Sequence, residues 1–173
     1  MNWHIRPASH ADTDRLALIG AATFLETFAG LLDGDAIVAH CRRAHSPEAY
    51  RDYLAAGAQA WLAEAASGGA PLGYGLVAAP DLPSVDREGG DLELKRIYSL
   101  SRCHGSGVGG ALMRLAVEHA ARQGAPRLLL GVYIGNARAL AFYAKQGFEQ
   151  IGTRRFRVGD QDYDDVVLAR AIG

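Results

Sequence analysis

A glycine-rich turn between a strand and a helix constrains this chain more than any other feature of its sequence. Residues 92–100 are predicted as a strand, and the glycine-rich segment 104–109 follows almost at once. A helix is expected over residues 108–123, because its apolar residues repeat at helical spacing until Gly124. Glycines let the backbone amides of the turn and of the first helical turn point at one anion, and the helix dipole adds to the attraction. The sequence therefore predicts a cradle for phosphate groups.

The same turn has a second interpretation as a dinucleotide site. Gly105, Gly107 and Gly110 satisfy the pattern G-x-G-x-x-G. However, the strand before such a site is buried on both faces and almost continuously apolar, whereas residues 92–100 carry three charges. No acidic residue follows the apolar strand 128–132 where a ribose partner is needed. Strand polarity thus counts against a dinucleotide-dependent oxidoreductase, and a simple tight turn is the structural alternative.

Size and charge narrow the class of protein. The chain has 173 residues, of which 49% are hydrophobic and 21% charged, and this predicts a single domain over residues 1–173. A formal net charge of -1 argues against nucleic acid or an anionic membrane as the main partner, since both reward concentrated positive charge. The two cysteines and the lack of an apolar N-terminal stretch predict a reduced, cytoplasmic setting. The expected partner is a small molecule.

Periodicity and capping residues predict elements along the whole chain. Ser46 followed by Pro47 is expected to start a new helix within residues 33–55. Asn136 is predicted to cap a helix that Gly147 ends, and the polar loop 80–90 is too short to separate domains. The expected strands are 3–7, 59–64, 71–79, 92–100, 128–132, 149–157 and 163–171, and the expected helices run from residue 9 or 13 to 28 and over 33–55, 108–123 and 136–146.

Three segments in combination resemble the GNAT acetyltransferase superfamily. They are residues 93–100, the turn 104–109, and the pattern Asn136-x-x-Ala139-x-x-Phe142-Tyr143-x-x-x-Gly147-Phe148. The family's turn is usually written Q/R-x-x-G-x-G/A, and this chain has His104 in its first place. Because the family uses mainly the backbone amide there, we expect this departure to modify binding rather than abolish it.

The resemblance implies a fold and a co-substrate. The fold is α/β (α+β), with a central mixed, mostly antiparallel sheet of seven strands that splays between strands 4 and 5 and carries helices on both faces. Acetyl-CoA would lie in the splay, its pantetheine arm bonded to unpaired strand backbone and its pyrophosphate to the turn, with no metal. The implied contacts are Ile97, Tyr98, Ser99, His104, Gly105, Ser106, Gly107, Val108, Gly109, Gly110, Asn136 and Tyr143.

Two residues are implied to be catalytic. An acceptor amine with a pKa near ~10.4 must lose a proton before it attacks, and Glu93 is the expected base. Strict alternation along the strand places Glu93 on the face of Ile97 and Ser99. Tyr143 is the expected acid that protonates the leaving thiolate. The structural alternatives are an ion-paired strand residue for Glu93, a core aromatic for Tyr143, and a plain N-cap for Asn136.

The acceptor is expected to be a small primary amine. Residues 23–28, 93–98 and 163–165 resemble the PaiA-like branch, whose substrates are polyamines. Protein N-termini or lysines are alternative acceptors. A non-catalytic sensor that binds acyl-CoA is the alternative function. Either a monomer or a homodimer is expected. Glu26, Asp33, Asp35 and Asp91 are candidates for a cationic groove, and Arg102, Arg138 and Lys145 for the 3'-phosphate of coenzyme A. Arg154, Arg155 and Arg157 are expected on a solvated face, with contact to an acidic substrate as the alternative for one of them. Cys103 is not expected to be a nucleophile, and His40, Cys41 and His45 are not expected to bind a metal.

Overall fold

Seven strands pair into one sheet in the order β1-β2-β3-β4-β5-β7-β6 in this computed structural model, which describes residues 2–82, 88–158 and 161–173. The strands are β1 (Trp3–Pro7), β2 (Gln59–Ala65), β3 (Pro71–Ala78), β4 (Leu92–Ser99), β5 (Arg127–Tyr133), β6 (Glu149–Val158) and β7 (Gln161–Ala171). The helices are α1 (Thr13–Phe28), α2 (Gly34–Ala44), α3 (Pro47–Ala55), α4 (Val108–Arg122) and α5 (Ala137–Lys145), with short 3-10 turns at His10–Asp12 and Ser101–Cys103.

The sheet splays between β4 and β5. These two strands are parallel, and they pair only where Leu92 meets Leu128 and Glu93 meets Leu129. The other neighbouring strands run antiparallel over most of their lengths. The predicted fold, a mostly antiparallel mixed sheet opened between strands 4 and 5, is confirmed. Of the predicted loop 80–90, residues 83–87 lie outside the described residues.

Helices cover both faces of the sheet. Helices α4 and α5 bury Val108, Leu112 and Tyr143 against one face, together with Leu128 and Leu130 of β5. Helices α1 to α3 cover the opposite face, where separate apolar clusters form around Leu16, Tyr50, Phe24 and Ile37. Within the described ranges, every helix falls short of the length and apolar character that a membrane span requires.

The predicted capping residues perform as expected. The Ser46 hydroxyl accepts a hydrogen bond from Ala49 N, with Pro47 in the first turn of α3. Asn136 Oδ1 accepts a hydrogen bond from Ala139 N at 3.1 Å, and Gly147 takes a φ of 79° just beyond α5. The helix predicted over 33–55 is indeed two helices that meet at this serine and proline.

A β-bulge in β4 changes which side chains share a face. Leu76 pairs with Arg96 but Val77 pairs with Leu94, so that Lys95 is an extra residue opposite β3. Leu94 and Ile97 consequently pack in the same apolar cluster below α4 and α5. Glu93 pairs with Leu129, which packs on the opposite face. The prediction that Glu93 shares the face of Ile97 is therefore wrong, because strict alternation does not survive the bulge.

The close packing of α1 against α3 makes a testable prediction at Gly20. A Cβ added there would collide with Tyr50 Oη and His45 Nδ1, whereas one added at Gly34 of α2 would touch nothing. We expect Gly20→Ala to lower the free energy of unfolding by about 1–3 kcal/mol, although alanine is the better helix former.

Urea unfolding of both alanine variants provides the measurement. Gly34→Ala is the matched control, and its free energy of unfolding should be unchanged or higher by less than about 1 kcal/mol. Equal stability of the two variants would show that α1 can move away from α3 at no cost.

Candidate active site

A cavity of about 840 Å³ opens at the splay and is lined from both faces of the sheet. On the side of α4 and α5 it reaches Ile97, Ser99 and Tyr143 and the glycine-rich turn. On the other side it ends in a pocket between the sheet and α1 to α3, which we call the aromatic chamber. Its walls are Phe24, Phe28, His40, His45, Tyr53 and Phe156.

The backbone of β4 points groups into the splay, where that of Ser99 is within hydrogen-bonding reach of the His104 imidazole. Leu100 N donates to Leu72 O at 2.9 Å, and Tyr98 O lies 2.7 Å from a Cβ built on Gly73, so these groups point toward β3. Because successive residues of a strand point their backbone groups to opposite sides, those of Ile97 and Ser99 point into the splay. The prediction that Tyr98 also offers its backbone there is wrong, because its carbonyl faces β3. Its side chain does line the cavity.

The turn before α4 has the form of an anion site. Gly105 and Gly107 adopt φ values of 80° and 92°, which favour glycine. Within the described part of the chain, five backbone amides at this turn and at the start of α4 have no backbone acceptor. They are those of Gly105, Gly107, Val108, Gly109 and Gly110. These amides sit at the positive end of the helix dipole and need an anion or water as their partner.

Two residues of the predicted cradle use their amides differently. His104 N donates to Ser101 O, and both N and Oγ of Ser106 donate to Cys103 O. These bonds hold the turn in shape rather than leaving the amides for a ligand. The pKa of the His104 imidazole is lowered, first by partial burial and then by the nearby Arg138 charge. Arg138 lines the cavity, whereas Arg102 and Lys145 do not.

Tyr143 and Asn136 reach the cavity from α5 and its cap. Tyr143 is buried, and burial followed by the nearby Tyr98 raises the pKa of its phenol, which keeps the hydroxyl protonated at neutral pH. Burial likewise raises the pKa of Tyr98 to about 12. Asn136 acts as the N-cap of α5, which leaves its amide nitrogen available to a ligand.

Glu93 lines the cavity as a buried, paired carboxylate. Its Oε2 accepts a hydrogen bond from Asp81 N at 2.7 Å and lies 2.9 Å from Lys95 Nζ. Among the described residues, Oε1 has no hydrogen-bond partner. The structure therefore places Glu93 in an ion pair on the wall of the cavity.

The four carboxylates predicted to form a cationic groove do not assemble. Only Glu26 lines the cavity, and both of its oxygens are bonded to Ser101, which lowers its pKa. Asp33 caps α2, and buried Asp91 pairs with Arg127 at 2.7 Å. Asp35 lies outside the cavity. This prediction is wrong because Asp33 and Asp91 are engaged in a helix cap and an ion pair away from the cavity.

Sequence reasoning missed the charged groups that line the chamber side. Arg96 lies over the rings of Tyr50 and Tyr53, with Cζ at 4.9 and 5.3 Å from their centroids. Arg154, expected on a solvated face, lines the cavity and pairs with Asp165 at 3.2 Å. Burial raises the pKa of Asp165. The signal that could have revealed these groups was the polarity of β4 itself. Because of the bulge, its charged side chains lie on the face of the sheet that carries the aromatic chamber.

Three of the remaining sequence candidates are buried side chains at the walls of the cavity. Cys103 is buried in the cluster below α4. His40 and His45 are buried, and the His40 ring stacks on Phe24 with a centroid distance of 4.3 Å. In the described ranges, no three histidine, cysteine or acidic side chains come together as metal ligands.

Comparisons with known proteins agree with this architecture. A model of the acetyltransferase (GNAT) family matches residues 23–148. An uncharacterized N-acetyltransferase of Mycobacterium tuberculosis is 35% identical over 161 residues, covering 93% of this chain and 98% of that protein. The chain belongs to the GNAT family, and it is an N-acetyltransferase.

Solved structures share the fold at lower identity. The PaiA N-acetyltransferase from Thermoplasma acidophilum, solved in complex with coenzyme A, superposes with a TM-score of 0.79 at 20% identity, covering 99% of each chain. YncA from Salmonella typhimurium, solved with its cofactor acetyl-CoA, has a TM-score of 0.68 at 19% identity, covering 100% of this chain and 95% of that one.

Alanine substitutions at two glycines test whether the glycine-rich turn binds coenzyme A, apart from the backbone strain that alanine introduces. Gly107 and Gly124 both adopt positive φ; a Cβ at Gly107 makes an ordinary contact with Trp3 Cζ2 at 3.6 Å, and one at Gly124 meets nothing within 4 Å. Alanine at either position should therefore lower the free energy of unfolding by about 1 kcal/mol. Only Gly107→Ala should also weaken the binding of coenzyme A, by about 10-fold, because it moves amides of the cradle.

Calorimetry with coenzyme A measures the difference, and Gly124→Ala, at the far end of α4, is the matched control. If both variants bound coenzyme A as the unmodified protein does, the turn would not be the pyrophosphate site.

Proposed function

We propose that this enzyme transfers the acetyl group of acetyl-CoA to a primary amine of a small molecule, by direct attack in a ternary complex. The observation that carries the proposal is the continuous cavity, with free amides at one end and the aromatic chamber at the other. The solved neighbours that hold coenzyme A and acetyl-CoA support the choice of co-substrate. The splayed sheet would then bring the two substrates together from opposite faces.

Coenzyme A would occupy the side of α4 and α5. The free amides of Gly105 and of residues 107–110 would bind the pyrophosphate, and Arg138 is a basic side chain that lines the same cavity. The backbone groups of Ile97 and Ser99 would pair with the pantetheine amides, which replace the missing β4 to β5 bonds. Asn136 and Tyr143 would contact the arm from α5. In this arrangement the thioester lies where the splay begins, between Glu93 and Tyr143.

The acceptor would enter from the aromatic chamber. Its ammonium must lose one proton, and Glu93, which lines the cavity, accepts it directly or through a water molecule. The amine nitrogen then attacks the thioester carbon, the nitrogen of the tetrahedral intermediate releases its second proton to solvent, and the carbon–sulfur bond breaks when the intermediate collapses. The leaving thiolate, with a pKa near ~8.5, takes a proton from the Tyr143 hydroxyl, which solvent restores.

A polyamine acceptor receives little support from the chamber. The carboxylates expected to bind its several ammonium groups are not assembled, and the nearby acids Glu93 and Asp165 are each paired with a cation. The alternative of a sensor that binds acyl-CoA without turnover shares the same cavity. Acetylation of an amine panel, followed by mass spectrometry, separates enzyme from sensor: binding of acetyl-CoA without any acetylated product would favour the sensor.

The role of Tyr143 is tested by its phenylalanine variant. Tyr143→Phe keeps the ring in the apolar cluster but removes the proton donor, so kcat should fall by about 100-fold. The affinity for acetyl-CoA, measured by calorimetry, is the control and should change little. A variant with unchanged kcat would remove Tyr143 from the mechanism.

The role of Glu93 is tested through pH. Glu93→Gln should lower kcat/KM by about 100-fold at pH 7, and the deficit should shrink toward pH 10, where solution supplies the free amine. Lys95→Met is the matched control, since it breaks the same ion pair but keeps the carboxylate. If Lys95→Met reproduced the loss and its pH dependence, Glu93 would act only as an ion-pair partner.

A further inference from the structure

Two buried polar atoms at the aromatic chamber have no partner. Within the described part of the chain, Arg96 Nη1 and His40 Nδ1 are the buried side-chain nitrogen or oxygen atoms that lack a hydrogen bond. Both residues line the same cavity. A buried polar atom without a partner costs free energy, and the cost is larger for a charged group. Their position in one chamber indicates that a ligand group completes their bonding.

Arg96 is held on a rigid platform. The guanidinium lies over the rings of Tyr50 and Tyr53, which attract a cation. The Tyr50 hydroxyl donates to Tyr74 Oη at 3.1 Å and lies 2.9 Å from His45 Nδ1, so its ring is fixed in place. The bulge at Lys95 turns Arg96 toward this platform and away from the α4 side. A preorganised guanidinium of this kind suits a planar, two-oxygen anion.

Among the described residues, the cations of the chamber side other than Arg96 are paired with carboxylates. Lys95 pairs with Glu93, and Arg154 pairs with Asp165. Among the residues that the structure describes, no carboxylate pairs with Arg96. Burial lowers the pKa of His40 to about 4 and that of His45 to about 2, and the Arg96 charge contributes to both shifts. Both histidines are therefore neutral at pH 7 and add no charge beside Arg96, and Asp81, a further carboxylate that lines the cavity, forms no ion pair with it within the described residues.

We propose that Arg96 binds a carboxylate of the acceptor, so that the acceptor is a small amine of the amino-acid type. This inference rests on the proposed acetyl transfer and names the substrate class of the same site. The neutral His40 Nδ1 is placed to share in binding the anion. Arg96 directly precedes Ile97, whose backbone faces the splay, so the anion site and the thioester lie within the span of one small molecule. The walls Phe24, Phe28 and Phe156 are suited to an apolar side chain.

Matched pairs of ligands test the proposal on the unmodified protein. Leucine, methionine and phenylalanine are each compared with the amine that lacks only the carboxylate, and spermidine is included. Calorimetry on protein saturated with coenzyme A measures binding, and mass spectrometry with acetyl-CoA measures acetylation. At least one amino acid should bind and react about 30-fold better than its decarboxylated amine, the low end of what a buried charge pair contributes. If every amine matched or exceeded its amino acid, or if spermidine were preferred, the proposal would be overturned.

Variants at Arg96 test whether this side chain supplies the preference. Arg96→Met should remove the preference for the carboxylate while the decarboxylated amine binds as before, and Arg96→Lys should restore part of it. Arg114→Met, an exposed position on α4, is the control for loss of a positive charge and should keep the full preference. Equal losses for both members of a pair would show that Arg96 only holds the chamber together.

The two readouts separate this proposal from the proposed function. A carboxylate preference in calorimetry without acetylated product would support the anion site and contradict acetyl transfer. Acetylation of amines with no carboxylate preference would support acetyl transfer and contradict the anion site. If Arg96→Met failed to bind coenzyme A, indicating a folding defect, Arg96→Lys and the ligand pairs on the unmodified protein would still decide the question.

Discussion

The parting of β4 from β5 is the constraint on which the rest of the site depends. Two residue pairs hold these strands together at one end, while β3 and β7 hold each of them firmly along the other edge. Beyond Glu93, the backbone of β4 is left in the interior of a sheet with donors and acceptors that have no neighbouring strand. Buried backbone groups need partners. The backbone of the splay is therefore suited to pair with an extended, amide-containing chain, whatever side chains surround it.

The bulge at Lys95 determines which side chains of β4 lie on each face of the sheet. Before and after it, Leu94 and Ile97 stay with the apolar cluster of α4 and α5, while Glu93, Arg96 and Tyr98 face the opposite side. A regular strand would have put Arg96 on the same face as Leu94, in an apolar cluster that offers no partner for a guanidinium. One extra residue thus allows a strand with three charges to support both a core and a polar chamber.

Most of the fold was predictable from the sequence, but only half of the site. Caps and glycines predicted the break at Ser46, the end of α5 at Gly147 and the turn before α4, because these are local signals. The faces of β4 were not predictable, because a bulge leaves no mark in the residue pattern that alternation can detect. The pairing of Asp91 with Arg127 and of Arg154 with Asp165 was also invisible, since each depends on strands brought together by the sheet. Local chemistry was therefore predictable, and long-range pairing was not.

The charges around the splay fit an acceptor with one positive and one negative end. Glu93 and Arg96 both belong to β4 and lie on the same side of the sheet, and the proposed thioester position is next to Arg96 at Ile97. An amino acid would place its ammonium toward Glu93 and its carboxylate toward Arg96, so that each desolvated charge meets its opposite. A polyamine would bring a second ammonium toward Arg96, and in a partly buried chamber that repulsion is screened much less than in water. The same two residues that orient an amino acid would thus exclude a polyamine.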